Sequence, residues 1–201
     1  RVPLRGPRRA LSRAQSLTKF SSLSVNLPIT IMIRSISAQM PQPPSVSSCA
    51  TPEPGLVQHQ KGHGLFVGEP RGGRSERAQT VCALLTRAGF ETRLSEDVRH
   101  DAWYKLWGNM TMNPVSAMTG ATMDKLLGDD LVRDFCSEAM REAARIGALI
   151  GCEVTQSPDD RHAVTRKLGA FKTSMLQDAE AGRPIELDAL VGAVREIAAR
   201  L

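Results

Sequence analysis

Lys105, Asn109 and Asn113 recur every four residues within Trp103-Tyr104-Lys105-Leu106-Trp107-Gly108-Asn109-Met110-Thr111-Met112-Asn113-Pro114. On a helix these positions share one face, roughly 6 Å apart per step. An ammonium can give up a proton, and an amide can both donate and accept a hydrogen bond. A cation beside two amides therefore suits a polar, oxygen-rich ligand. Trp103, Leu106, Trp107 and Met110 follow helical spacing on the adjoining face, so the trio would line the edge of a core. The plainer reading of the same spacing is a solvated face beside two core tryptophans. Pro114 biases Asn113 away from the α region, so the trio is expected to end at a bend.

A second polar cluster lies in Lys172-Thr173-Ser174-Met175-Leu176-Gln177-Asp178, followed by Gly182-Arg183-Pro184-Ile185-Glu186-Leu187-Asp188. Taken alone, Ser174 is an ordinary helical residue. Glu186 is an ordinary acid at a helix start, where the dipole favours it. Pro184 stiffens the approach to Glu186. Other chemistry is poorly represented. Gly62-His63-Gly64 followed by Gly68 is not a GxGxxG fingerprint. His59, His63, His100 and His162 have no ligand spacing and are expected at the surface. Cys49, Cys82, Cys136 and Cys152 form no CxxC, so no metal site and reduced thiols are expected.

The elements that must carry these residues follow from periodicity and caps. Leu56–His59 and Leu65–Gly68 read as a hairpin around Gly62–Gly64. Ser75 caps a helix to Arg87, with Ala78, Val81, Cys82 and Leu85 inward. Phe90–Leu94 is a candidate strand. Helices are then expected through the Trp103 stretch, over Thr122–Leu127, and over Leu131–Ile150 with Leu131, Phe135, Ala139, Ala143, Ile146 and Ile150 inward. Ser157-Pro158-Asp159-Asp160 is a strong helix start, and that helix is expected to run to about Ala181. A last helix is expected over about Leu187–Arg200.

The net charge of +5 over 201 residues misleads. Residues 1–52 hold seven Arg/Lys and no acid, whereas the remainder holds 19 basic and 21 acidic residues. Beyond the first quarter there is no electrostatic case for nucleic acid. No apolar run approaches the ~18 residues of a membrane span. Residues 1–45 show no sustained period, apart from an apolar patch at Leu27–Ile36 that suits a strand. Three readings stay open for this segment: a transit peptide, a basic arm, or a stretch foreign to the fold.

Several strings together resemble the ketopantoate reductase family, mainly its C-terminal half. They are Pro54-Gly55-Leu56-Val57, Gly64-Leu65-Phe66-Val67-Gly68-Glu69-Pro70, Asp97 with the Trp103–Pro114 stretch, and the two polar clusters at 172–178 and 182–192. The resemblance covers about residues 46–201. It implies a mainly α fold: an all-helical substrate domain, 6-phosphogluconate dehydrogenase C-terminal-like, preceded by the last strands and helix of a Rossmann-like α/β domain. The expected division is 1–45 as a basic, disordered or non-native segment, 46–96 as the α/β remnant and 97–201 as the helical domain. The resemblance also implies NADPH-dependent reduction of 2-dehydropantoate, or a similar 2-oxo acid, to pantoate in pantothenate and coenzyme A biosynthesis. A cytoplasmic location and a homodimer are part of that expectation. Lys105 and Glu186 are then the catalytic residues, with Glu186 holding the substrate hydroxyl, and Asn109, Asn113 and Ser174 bind substrate. The family's GxGxxG, expected well upstream of Pro54, is absent from these residues, so the NADPH pocket is expected to be incomplete. The second expectation is a catalytically inactive fragment that serves as a helical substrate-binding or dimerisation module.

Overall fold

A computed structural model describes residues 30–33, 48–53, 55–61 and 64–201. The α/β part holds β1 (Thr30–Ile33), β2 (Ser48–Glu53), β3 (Leu56–Lys61), β4 (Gly64–Gly68), α1 (Glu76–Arg87) and β5 (Glu91–Ser95). β4 is buried along its whole length, so both its edges need partners. It pairs antiparallel with β1 and parallel with β5. β3 pairs instead with β2, across the turn at Gly55, whose φ is +87°. The expected hairpin between 56–59 and 65–68 is therefore not formed. Two alternating runs close in sequence suggested a hairpin, but β4 is a central strand and takes its partners from farther away. The Leu27–Ile36 patch contributes β1, so the sheet draws on the stretch read as a separate segment. The rest of residues 1–45 lies outside the described residues.

α1 forms as its cap and stripe predict. Ser75 accepts from the Ala78 N–H at 3.1 Å. Ala78 is fully buried, and Val81, Cys82 and Leu85 are half-buried. β5 begins one residue later than expected.

The helical part is built on α2 (Val98–Thr119), capped by Asp97, which accepts from the His100 N–H at 3.0 Å. Its start is tied to the sheet. Ser95 donates to Asp101 at 2.6 Å, and a Cβ on Gly68 would stand 2.9 Å from the Val98 Cβ. Only glycine lets β4 come this close to α2. The expected bend at Asn113 is absent: α2 continues through Pro114 for five more residues. Asn113, Pro114 and Ser116 are buried, and that packing overrides the local preference. Ser116 also donates to the Ala121 carbonyl at 2.7 Å, helping to close the helix end.

α3 (Met123–Gly128) and α4 (Asp130–Leu149) follow. The buried face of α4 is rotated from the expected one, with Ala143 and Ile146 inward as expected. Leu131 and Phe135 are 83% and 62% exposed, and Cys136, Ser137, Met140, Ala143, Ile146 and Gly147 face inward. Small and polar residues make much of that stripe, so counting apolar positions missed it. The helix expected over 157–181 is two helices, α5 (Pro158–Arg166) and α6 (Ser174–Glu180). Gly169 takes a φ of +63°, and Thr173 caps α6 by accepting from the Leu176 N–H at 3.1 Å. The last expected helix opens as a π turn over Asp188–Gly192 and continues as α7 (Ala193–Ala198).

Three buried clusters fix α2. Trp103 packs with Ile146, Cys152 and Val194, joined by Leu106 and Met110. Trp107 packs with Met140 and Ala143, and its indole donates to the Met140 carbonyl at 2.7 Å. Met112 packs with Met123, Leu126, Leu127 and Cys136. The expected tryptophan stripe is thus core.

Candidate active site

α2 carries Lys105, Asn109 and Asn113 on successive turns of one unbroken helix. Lys105 and Asn109 are half-buried, and Asn113 is 9% exposed. The other sides of α2 are occupied. The Trp103–Trp107 side packs on α4 and α7. The Tyr104–Gly108 side packs on α5, where the Arg161 guanidinium lies 5.2 Å from the Tyr104 ring centre. A Cβ on Gly108 would stand 2.7 Å from that guanidinium. The trio lies on a further side of the same helix.

α2 also packs against α6 and against the π turn. Ser174 is the first residue of α6, and Glu186 stands two residues before the π turn. Both are exposed. α2 therefore adjoins both the helix that begins at Ser174 and the π turn that follows Glu186. The Glu186 carbonyl accepts from the Leu190 N–H at 3.1 Å, which fixes its main chain at the helix start.

Sequence reasoning missed other polar features. His162, expected at the surface, is 1% exposed. Its Nε2 lies 2.9 Å from the Ser137 hydroxyl, with its ring sealed between α4 and α5. The signal was its place on the inner face of α5, four residues after the Pro158 start. Tyr104 donates to Gln156 and receives Arg161 at 3.4 Å. Nothing in the spacing of those residues announced that group. Among the described residues no three or more His, Cys, Asp or Glu side chains could hold a metal. Burial pushes the Cys136 thiol up to about 11, so it is not a nucleophile near neutral pH.

The junction from β4 to α1 does not offer a dinucleotide a phosphate site. A strand–loop–helix junction is where its phosphates would sit, on free N–H groups at the helix start. The junction from β4 to α1 is already filled by a carboxylate. Glu69 accepts from Arg77 Nε at 2.7 Å and from the Ser75 hydroxyl. Those two contacts, Arg77 first, hold its carboxyl down at about 2, so it is ionised at the place a phosphate would need.

A helical unit built on one long helix, entered from a parallel strand pair and its crossover helix, is a mainly α fold of the 6-phosphogluconate dehydrogenase C-terminal-like class. Residues 97–201 match the family model described as ketopantoate reductase PanE/ApbA C terminal. The chain belongs to the ketopantoate reductase family. It is 42% identical over 144 residues to a 2-dehydropantoate 2-reductase from Mesorhizobium japonicum, covering 72% of this chain and 44% of that protein. A candidate ketopantoate reductase structure from Ralstonia solanacearum matches with a TM-score of 0.72 and 54% identity, over 77% of this chain and 47% of that one. The 2-dehydropantoate 2-reductase structure from Methylococcus capsulatus matches with a TM-score of 0.69 and 29% identity, over 77% and 50%. The chain spans about half the length of the curated relatives it matches.

Proposed function

We propose that this chain supplies the substrate-binding and proton-donating half of a 2-oxo acid reductase. The reaction is NADPH-dependent conversion of 2-dehydropantoate, or a close 2-oxo acid, to pantoate on the route to pantothenate and coenzyme A. The observation that carries this reading is Lys105, Asn109 and Asn113 on one side of α2, with α6 and the π turn packed against the same helix. The division into an α/β remnant at 46–96 and a helical domain at 97–201 is part of the proposal, as are a cytoplasmic location and a homodimer. The apolar surface left by Leu131 and Phe135 on α4 supports the homodimer.

Reduction of the C2 ketone places negative charge on its oxygen. The Lys105 ammonium stabilises that charge and delivers a proton from Nζ to the oxygen. Asn109, Asn113 and Ser174 are neutral donors that orient the carboxylate and carbonyl without adding charge that would overbind the ground state. Glu186 accepts from the substrate hydroxyl. NADPH supplies the hydride in this family's reaction. In a form of the protein that carries a nicotinamide-binding domain, Lys105→Ala is expected to lower kcat/KM for 2-dehydropantoate by roughly 10²–10⁴. Unchanged turnover would remove Lys105 from this role.

A further inference from the structure

The turn that delivers Glu186 is held by two residues that the proposed chemistry does not use. α6 ends at Glu180, and Gly182 follows with a φ of +65°. Arg183 then grips Asp178 three times. Its N–H donates to the Asp178 carbonyl at 2.8 Å. Its guanidinium reaches Asp178 Oδ1 through Nε at 2.8 Å and through Nη2 at 2.7 Å. Pro184 comes next, with φ fixed near −65°. Two residues later the Glu186 carbonyl opens the next helix by accepting from Leu190.

Glu186 is thus strung between two anchored points, with a proline between them. Asp178 lies four residues after Ser174 on α6, so both share a helix face. The Arg183–Asp178 contact therefore couples the approach to Glu186 with the helix that carries Ser174. Arg183 and Asp178 side chains are 53% and 30% exposed. An ion pair this exposed contributes little to folding. Three bonds onto one residue do more to fix the direction of the chain than to hold the fold together.

We infer that Arg183, anchored on Asp178, is a positioning residue that sets Glu186 against the substrate hydroxyl. This rests on the 2-oxo acid reading given above. The test compares two ligands that differ in that hydroxyl alone: 2-dehydropantoate and its deoxy counterpart, 3,3-dimethyl-2-oxobutanoate. Dissociation constants come from NMR titration of the 201-residue chain. The wild type is expected to prefer the hydroxylated acid on the order of tenfold, the worth of one hydrogen bond to a charged group. Glu186→Ala, Arg183→Ala and Asp178→Ala should each reduce that preference to within about twofold, and Arg183→Ala added to Glu186→Ala should change nothing more. In Arg183→Ala and Asp178→Ala, affinity for the deoxy acid and the thermal midpoint should stay at their wild-type values.

An Arg183→Ala variant that keeps the preference, or that weakens both acids equally, overturns the inference and leaves the 2-oxo acid reading standing. A wild type that binds both acids equally removes the hydroxyl contact of Glu186, and the inference with it. A wild type that binds neither overturns both readings.

Discussion

Trp103 of α2 lies against the main chain of Gly147 of α4: a Cβ there would stand 2.2 Å from Trp103 Nε1 and 2.7 Å from the Cys152 carbonyl oxygen. This contact seats the helix that carries Lys105. Gly147→Ala gains about 1 kcal/mol of intrinsic helix preference. The clash includes rigid main chain, so a net loss of about 1–3 kcal/mol is expected. Chemical denaturation measures it. A neutral or stabilised variant would mean that α2 and α4 are not packed this closely.

His162 should make the helical unit sensitive to acid. The Ser137 hydroxyl donates its one proton to the Arg133 carbonyl at 2.8 Å. His162 Nε2 lies 2.9 Å from the same hydroxyl, and Nδ1 is buried without a hydrogen-bond partner. Burial pushes the imidazole below its usual 6.5, with Arg166, Arg133 and Arg141 adding to the effect and Asp159 opposing it. The unfolded chain then takes up the proton first. Stability present above pH 6.5 is lost as the pH falls toward the folded-state value. Denaturation at a series of pH values should show a decline in the wild type and a flatter profile in His162→Leu.

Glu69 acts lower on the pH scale. Its carboxyl sits at about 2 in place of the usual 4.5, held by Arg77 and Ser75. The contribution is complete above 4.5 and disappears as the pH falls through about 2. Glu69→Gln should therefore be less stable than the wild type at neutral pH, and the two should converge in acid. A constant difference across that range would show that the charge is not what matters.

The parts of the fold visible in the sequence are those set by local chemistry. Ser75 and Ser157 cap helices as their residue types require, and the Trp103–Met110 stripe is core. What escaped was set by distant packing. β4 is a central strand because β1 and β5 reach it, which nothing within 56–68 could reveal. Pro114 stays helical because Asn113 and Ser116 are buried around it. Part of the inner face of α4 is written in Cys136, Ser137 and Gly147, which an apolar count passes over. The break between α5 and α6 was announced by Gly169 and Thr173, but the strong start at Ser157 drew the helix past them. For the candidate site, the spacing of Lys105, Asn109 and Asn113 was visible. The Arg183–Asp178 grip and the π turn beside Glu186 were not, because each depends on how the main chain closes after Gly182.

The central claim is that a 2-oxo acid binds on the Lys105–Asn113 side of α2. The direct measurement is NMR mapping of 2-dehydropantoate binding to the wild-type chain and to Lys105→Met. The account predicts perturbations concentrated at Lys105, Asn109, Asn113, Ser174 and Glu186, with affinity falling on the order of tenfold or more when the ammonium is removed. Perturbations centred elsewhere, or equal affinity in the two proteins, would contradict it.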